Sequence, residues 1–318
     1  MRPNNPGVQG HLYKLTVAYD GTDFHGWQKQ QPPVSEHPEL AHLAGTQGVA
    51  EGRIPMRTVQ HVLEQTVREV VRERVAVHGA SRTDSGVHAG GFFPDGTPGG
   101  QVAVFHSMPN TGRGVGWPAD RGTETLRRAI NSGLPREILV TKCEIAPQGF
   151  DAIAGAKEKQ YAYTMVTGPD RPLWDRNYAF HTWYEIAPDK MRAACEPIIG
   201  THDFAGFAQV NHGRKTTVRT IMGLSVEDEP IGEIAHPDIH PDTRPDTHPD
   251  TRRITIRVRG DGFLYNMVRI LAGTLMEAGR GRMSVDDVAR VVQEADRRTN
   301  PAPTLPPQGL RLEWIRYD

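Results

Sequence analysis

The sequence of 318 residues predicts an α+β fold made of two similar halves. Three observations predict it. Strand-like and helical stretches follow one another in the order β-α-β-β-α-β, and this order occurs twice. The composition, with 37% hydrophobic and 24% charged residues, is sufficient for packed cores and excludes a wholly disordered chain. The length is that of two ordinary domains or of one large domain.

The elements of the first half follow from local patterns. Strands are expected where residues alternate in polarity or form short β-branched runs between glycine and proline clusters. Helices are expected where apolar residues recur on one stripe, and Gly133 and Pro135 end the second of them. The predicted elements are strands at residues 12–19, 75–78, 102–105 and 138–145 and helices at residues 58–71 and 124–131.

The second half repeats the pattern. Ile254, Ile256 and Val258 alternate with polar and basic residues, which predicts a strand with one apolar and one basic face. Ser284 and Asp287 have the spacing of a capping box, which predicts the start of a helix. The predicted elements are strands at residues 160–166, 218–226, 254–258 and 310–315 and helices at residues 190–199, at 263–277 and from 284 onward.

We therefore predict an N-terminal half at residues 1–152 and a C-terminal half at 153–318, each with one insert-like stretch. Residues 31–56 have no periodicity and look inserted. Residues 227–250 contain a Pro-Asp repeat with proline at nearly every fourth position, which blocks helix and central strand and predicts a solvated hairpin extension. Its histidines at 236, 240 and 248 could alternatively bind a metal.

Charge is unevenly distributed along the chain. The net charge of -1 argues at first against a nucleic-acid partner. Residues 227–250 contain eight acids and one base, for a local charge of -7, and residues 31–56 carry -2, so the remainder is +8. This remainder is compatible with binding RNA phosphates.

The number of cysteines and the composition of the N-terminal residues indicate the cellular compartment. Two cysteines exclude a disulfide framework. The first ten residues lack the apolar core of a signal peptide, and the most apolar stretch is interrupted by Asn266 and Arg269. We expect a cytoplasmic protein.

Residues 79–89 form the sharpest local feature, since they combine a carboxylate, hydroxyls, a guanidinium and an imidazole between glycines. They could be a polar turn that bonds its own backbone. Alternatively, Asp84 beside Arg82 is an ionised carboxylate that acts as a nucleophile.

Three other stretches are candidates for RNA contact. Residues 19–28 form either a turn around a half-buried Trp27 or an RNA-facing loop. Tyr161 and Tyr163 share one face of a strand, as core residues or as a stacking surface for a base. Arg269 interrupts an apolar helix, so we expect it to meet a carboxylate or reach a cleft.

These residues resemble the motifs of the tRNA pseudouridine synthase A family, from about Tyr13 to Leu312 without the two insert-like stretches. The catalytic loop of that family is similar to Arg82-Thr83-Asp84-Ser85-Gly86-Val87-His88, with serine here in place of alanine. Further matches in the same order are Tyr19-Asp20-Gly21, Gly26-Trp27-Gln28, Thr58-Val59-Gln60, Lys159-Gln160-Tyr161-Ala162-Tyr163, His202-Asp203-Phe204, Gly262-Phe263-Leu264-Tyr265-Asn266-Met267-Val268-Arg269 and Gly309-Leu310.

The resemblance implies two ferredoxin-like or RRM-like halves joined into one extended, mostly antiparallel sheet, with helices on one side and a cleft between the halves. It implies isomerisation of uridine to pseudouridine at positions 38 to 40 of the tRNA anticodon arm, by a homodimer. Asp84 would be the nucleophile, and Arg269 would pair with it. Arg82 would hold the flipped nucleotide or occupy the space that it leaves. Tyr161 would stack on the uracil and could take part in removing the C5 proton. No electrons are exchanged, so no cofactor is expected, and the sequence offers no obvious metal site.

One departure from the family pattern is Ile153 and Ala154, where arginine and an aromatic residue usually follow. Two other functions are compatible with parts of the pattern. A non-catalytic RNA-binding module would use the same sheets but would not require the carboxylate of Asp84. A retaining glycosidase would require a second carboxylate in a comparable setting, and we find none in the sequence.

Overall fold

The computed structural model describes residues 10–44, 50–108, 114–209, 215–231 and 251–318. Two compact units make up the chain. The first comprises Met1–Ala156 and Leu312–Asp318, and the second comprises Lys157–Arg311. The division after residue 152 remains a prediction about domains, while the compact units divide after Ala156 and the last seven residues belong to the first unit.

A sheet centred on its first strand forms the core of the first unit. Its elements are β1 (His11–Tyr19), α1 (Val59–Val71), β2 (His78–Gly79), β3 (His88–Ala89), β4 (Gly91–Phe92), β5 (Pro98–Gly99), β6 (Gln101–Ser107), α2 (Gly122–Gly133), β7 (Ile138–Ile145) and, from Leu312 onward, β13 (Leu310–Arg316). Strand β1 pairs antiparallel with β6 and with β7, and its last residue, Tyr19, lies opposite Ala89 of β3. Strands β4 and β5 form a separate hairpin.

Helix α1 forms for the reasons the sequence indicates. The Thr58 side chain accepts a hydrogen bond from the His61 N–H (3.3 Å) and caps the helix N-terminus. The stripe of Val59, Leu63 and Val67 is fully buried. The predicted amphipathic helix at this position is therefore confirmed.

In its described residues, the second unit contains an antiparallel sheet and three α-helices. Its elements are β8 (Glu158–Thr167), β9 (Phe180–Thr182), α3 (Pro188–Ala193), β10 (Gly200–Asp203), β11 (Val218–Pro230), β12 (Arg252–Gly260), α4 (Met267–Gly279) and α5 (Val285–Glu294). The strand order is β10-β11-β12-β8, and β9 adds to β8 in parallel. The apolar face of β12 is buried, and Ser284 and Asp287 form the predicted capping box of α5.

Three predicted elements are wrong in extent. The helix expected at 263–277 begins only at Met267, because Asn266 has the left-handed conformation with φ of 59°. The helix expected at 190–199 is interrupted, since α3 ends at Ala193 and a 3-10 turn at Glu196–Ile198 contains the proline. The strand expected at 75–78 is reduced to β2.

The acidic stretch begins later than the sequence suggested. Glu227, Asp228 and Glu229 are residues of β11 and pair with β12, while residues 232–250 lie outside the described residues. Glu227 forms an ion pair with Arg257 and Asp228 forms one with Arg252. These acids are therefore part of the folded unit, and counting the three of them with the rest of the chain lowers its charge from +8 to +5.

The structure describes most of the other insert-like stretch, which belongs to the first unit. It contains 3-10 turns at Val34–Glu36 and Pro38–Leu43, and residues 45–49 lie outside the described residues. Ile54 and Met56 at its end are buried. The insert is thus anchored by apolar side chains at its C-terminal end.

The predicted α+β class is confirmed. Of the strand pairs named above, all are antiparallel except β8 with β9. In the part of the chain that the structure describes, no helix is both long enough and apolar enough to cross a membrane.

Candidate active site

The segment between β2 and β3 carries the predicted nucleophile, and we name residues 80–87 the Asp84 loop. Asp84 is half-buried and Arg82 is exposed. The Val87 N–H donates to the Asp84 carbonyl oxygen (3.1 Å), and Gly86 has φ of 77°. The chain therefore turns tightly just after the carboxylate, which presents it at the start of a turn.

Thr83 fixes the centre of the Asp84 loop. Its carbonyl oxygen accepts a hydrogen bond from the Trp27 N–H (3.0 Å), and its hydroxyl shares a hydrogen bond of 2.6 Å with the Tyr19 hydroxyl. Both Thr83 and Tyr19 are buried. A buried, satisfied hydroxyl pair holds the residue before Asp84 at a defined position.

Both ends of the Asp84 loop are also held. At the start, the Ser81 N–H donates to Gln101 Oε1 (3.1 Å), and the Gln101 amide donates back to the Ser81 carbonyl oxygen (2.5 Å). At the end, the Phe24 carbonyl oxygen accepts from Ser85 Oγ (3.2 Å) and from the Gly86 N–H (3.3 Å). Fixing a loop on both sides of a reactive group pre-organises that group.

Two glycines allow the Asp84 loop to lie directly on the segment after β1. A Cβ atom on Gly21 would stand 2.0 Å from the Val87 carbonyl oxygen. A Cβ atom on Gly26, whose φ is +81°, would stand 2.7 Å from the Thr83 carbonyl oxygen. Because no real Cβ contact is this short, the close approach requires glycine at both positions.

Trp27 belongs to the core of this site. Its side chain is 1% exposed, and its ring lies 6.0 Å from that of Tyr19. The interpretation of residues 19–28 as an RNA-facing loop therefore does not apply to Trp27, which is more deeply buried than the half-buried turn residue expected from the sequence. The segment instead supports the Asp84 loop through the hydrogen bonds that the Trp27 N–H and the Tyr19 hydroxyl make with Thr83.

In the second unit, Tyr161 and Tyr163 differ in their surroundings although both lie on β8. Tyr163 is fully buried, donates its hydroxyl to the Pro306 carbonyl oxygen (2.8 Å), and has its pKa raised by burial. Tyr161 is 6% exposed, and its ring meets that of Phe263 edge to face with centroids 5.1 Å apart. Tyr163 is thus a core residue, and Tyr161 retains the role of candidate site residue.

Arg269 lies in the first turn of α4 and is half-buried. Its Nη1 atom donates to Asn266 Oδ1 (2.7 Å) and its Nε atom donates to the Leu305 carbonyl oxygen (2.6 Å). The sequence predicted that the guanidinium would meet a carboxylate or reach a cleft, and this stays a prediction. The partners described here are an amide oxygen and a carbonyl oxygen. Neither partner was predicted. Leu305 is far from Arg269 in the sequence, and the contact with Asn266 depends on the conformation of the chain just before α4.

The predicted site residues are divided between the units. Arg82 and Asp84 share one loop of the first unit, and Tyr161 and Arg269 both belong to the second. At the position of the family departure, the Asp151 carboxylate accepts hydrogen bonds from the N–H groups of Ile153 (2.7 Å) and Ala154 (2.8 Å). These two residues therefore form a turn closed by the Asp151 carboxylate and their own N–H groups, for which their side chains are not needed.

The basic face of β12 is largely ion-paired. Arg259 contacts the buried Glu158 at 2.9 Å, Arg257 pairs with Glu227 of β11, and Arg253 pairs with Asp175. The alternation predicted from the sequence is present, but carboxylates from neighbouring segments accompany its arginines. The face is consequently less positive than its own sequence suggests.

Comparisons with known proteins agree with these motifs. A family described as tRNA pseudouridine synthase matches residues 194–318. The chain is 32% identical to tRNA pseudouridine synthase A 2 of Clostridium perfringens (strain 13 / Type A), over 96% of this chain and 98% of the relative. It is 35% identical to tRNA pseudouridine synthase A of Geobacter sp. (strain M21) and 33% identical to that of Thermoanaerobacter sp. (strain X514), with 98% of each relative covered.

The α+β fold and these matches define an enzyme of the isomerase class. Since the chain aligns almost end to end with relatives above 30% identity, it belongs to the tRNA pseudouridine synthase family. The resemblance found in the sequence motifs is thereby confirmed.

Proposed function

We propose that this enzyme isomerises uridine to pseudouridine at positions 38 to 40 of the tRNA anticodon arm, with Asp84 as the nucleophile on a flipped-out uridine. The fixed Asp84 loop carries the proposal. Hydrogen bonds at Ser81, Thr83 and Gly86 hold the loop that carries the half-buried Asp84. A simple surface turn does not require so many fixed contacts, whereas a reactive group reacts faster when it is held in position.

The reaction is balanced without a redox partner. The N1–C1′ bond breaks, the base turns, and the C5–C1′ bond forms. The proton on C5 is lost and N1 gains a proton, so substrate and product are isomers. The nucleophile must be ionised and must reach a uridine whose base has left its stack. Leaving the stack costs a few kcal/mol, and least in a loop.

The other candidate residues have supporting roles in this proposal. Arg82 is exposed next to Asp84, which suits a side chain that holds the flipped nucleotide or occupies the space it leaves. Tyr161 offers a ring to stack on the uracil, and its contact with Phe263 restrains that ring. Arg269 supports the bound uridine and the charge of the nucleophile. Basic side chains outside the paired β12 arginines contact tRNA phosphates.

The proposed activity is tested with tRNA transcripts labelled with tritium at C5 of uridine. The wild-type enzyme is expected to release tritium into water, because C5 loses its hydrogen in the reaction. Transcripts with cytidine at positions 38 to 40 should release none. Failure to release tritium from any tRNA contradicts the proposed function, and undiminished release from the substituted transcripts contradicts the proposed positions.

We also propose that the enzyme is a homodimer that associates through one exposed segment of the second unit. Five large hydrophobic side chains within this segment are between 49% and 69% exposed: Leu173, Trp174, Tyr178, Trp183 and Tyr184. A soluble surface seldom leaves so many large apolar groups in water, and aromatic residues are enriched at subunit contacts. The segment from 170 to 184 contains two aspartates and two arginines, so a nearly neutral partner such as a second copy suits it better than RNA.

Replacing Trp174 and Trp183 together by glutamate is expected to convert the dimer to monomer, because two charges would be buried at the contact. Sedimentation velocity at micromolar concentration measures the change. Phe92→Glu is the matched control, since Phe92 is equally exposed at 68% but lies in the first unit. A monomeric wild type would refute the homodimer, and a dimeric double variant would refute the surface.

We assign the enzyme to the cytoplasm, where tRNA is modified and thiols stay reduced. Cys143 and Cys195 are free thiols, and burial raises their pKa to about 12 and about 11. Recovery of the protein from another compartment on cell fractionation would contradict this assignment.

A further inference from the structure

We propose that Asn266 is a positioning residue that holds the guanidinium of Arg269 in its working orientation. The inference rests on the proposed function, in which Arg269 supports the bound uridine. Asn266 precedes α4, and Arg269 lies three residues further on, in the first turn. Three observations support the role: the backbone conformation of Asn266, the hydrogen bonds of its amide, and the second anchor of Arg269.

The backbone conformation of Asn266 is unusual for its place in the helix. Its φ and ψ are 59° and 6°, in the left-handed region that costs L residues energy. Arg72 and Ala295 share this conformation but follow the last residue of a helix, where it is common. Asn266 stands before the first residue, and its side chain makes no capping hydrogen bond. Helix capping therefore does not account for asparagine at this position.

The side-chain amide of Asn266 instead links two other residues. Its Oδ1 atom accepts from Arg269 Nη1 (2.7 Å), and its Nδ2 atom donates to Gln209 Oε1. The Gln209 N–H in turn donates to the Tyr265 carbonyl oxygen (3.2 Å), which ties Gln209 to the same loop. Since a guanidinium can only donate, the amide is oriented with its oxygen toward Arg269. Glycine would fit the backbone but could not make this link.

A second anchor completes the support of Arg269. The Leu305 carbonyl oxygen accepts from Arg269 Nε (2.6 Å), and the Leu305 N–H donates to the Arg269 carbonyl oxygen (3.3 Å). The Nε and Nη1 atoms are thus bound to two oxygen atoms on separate segments, which fixes the plane of the guanidinium. Asn266 supplies one of these oxygens from a side chain that is 9% exposed. Its removal would leave the guanidinium with one fewer fixed contact in this unit.

The test replaces Asn266 by glycine, which retains the left-handed backbone and removes only the amide. We expect kcat for tritium release to fall by about tenfold, because a hydrogen bond to a charged group is lost. The KM for tRNA should change by less than about twofold. The melting temperature should stay close to that of the wild type, because glycine relieves the strain of the left-handed backbone and this offsets the lost hydrogen bonds. A kcat equal to that of the wild type would overturn the proposal.

Two further variants distinguish positioning from general support of the fold. Asn300→Ala removes an equally buried amide of the same unit, which donates to the Gly206 carbonyl oxygen and to Thr274 Oγ1 (both 3.1 Å). It should lower the melting temperature and leave kcat unchanged where the protein is folded. In an Arg269→Lys background, Asn266→Gly should cause no additional loss of kcat. An undiminished additional loss, or a wild-type kcat for Arg269→Lys, would overturn the inference, whereas an inactive wild type would refute the proposed function itself.

Discussion

Replacing Asp84 by asparagine is expected to lower kcat for tritium release by about 10³-fold or more, because the amide cannot act as a nucleophile. Asparagine has nearly the same shape as aspartate. The loop contacts made by Ser81, Thr83 and Gly86 do not depend on a charge at position 84. Binding of tRNA should therefore change by less than about threefold, which a filter-binding measurement with labelled tRNA determines.

The matched control for this variant is Asp95→Asn. Asp95 also accepts hydrogen bonds in a tight turn, from the N–H (2.9 Å) and the hydroxyl (2.7 Å) of Thr97, but it lies at the tip of the β4–β5 hairpin. Its variant should retain the wild-type rate. Comparable rates for the wild type and Asp84→Asn would show that Asp84 is not the nucleophile.

Replacing Gly26 by alanine is expected to have the second largest effect, by displacing the Asp84 loop. The added Cβ atom would stand 2.7 Å from the Thr83 carbonyl oxygen, in a backbone with φ of +81°. The strained backbone costs about 1–2 kcal/mol and the overpacking about 1–3 kcal/mol more. We expect a loss of about 3 kcal/mol in the free energy of unfolding, measured in urea, and a fall in kcat of about a hundredfold, since a small misplacement of a reactive group is costly.

Gly96 provides the matched control because its φ is also +81° and no atom lies within 4 Å of the position that an added Cβ would occupy. Gly96→Ala carries only the backbone cost, about 1–2 kcal/mol, and should retain the wild-type kcat. The difference between the two variants isolates the clash with the Asp84 loop. If Gly26→Ala and Gly96→Ala lowered the free energy of unfolding equally, the Asp84 loop would accommodate the methyl group without cost. The close approach at Gly26 would then not be needed to position Asp84.

The sequence predicted those elements whose causes are local. Helix α1 follows from its apolar stripe and Thr58, and the start of α5 follows from Ser284 and Asp287. The start of α4 could not be predicted, because Asn266 adopts a conformation that its links to Arg269 and Gln209 stabilise. The continuation of β11 was missed because acidic residues suggest a loop until their arginine partners on β12 are known.

The features of the candidate site also fall into those that local sequence indicates and those that depend on tertiary structure. The polar residues between glycines, with the family motif, were sufficient to single out Asp84 and Arg82. The hydrogen bond between Tyr19 and Thr83 joins residues 64 positions apart, so no local pattern indicates it. The short contacts at Gly21 and Gly26 likewise depend on how two segments meet. Sequence thus singled out the candidate carboxylate, and tertiary structure was needed to find what holds its loop.

The pairing of the β12 arginines has a consequence for the thermodynamics of RNA binding. A phosphate that binds a lone arginine displaces mobile cations from the RNA, and this release makes affinity fall steeply with salt. A phosphate that binds Arg257 or Arg259 must also separate the guanidinium from Glu227 or Glu158. The protein's own carboxylates then act as built-in competitors, present at a fixed local concentration that dilution does not change. Any RNA that bound at this face would meet this competition even at low ionic strength.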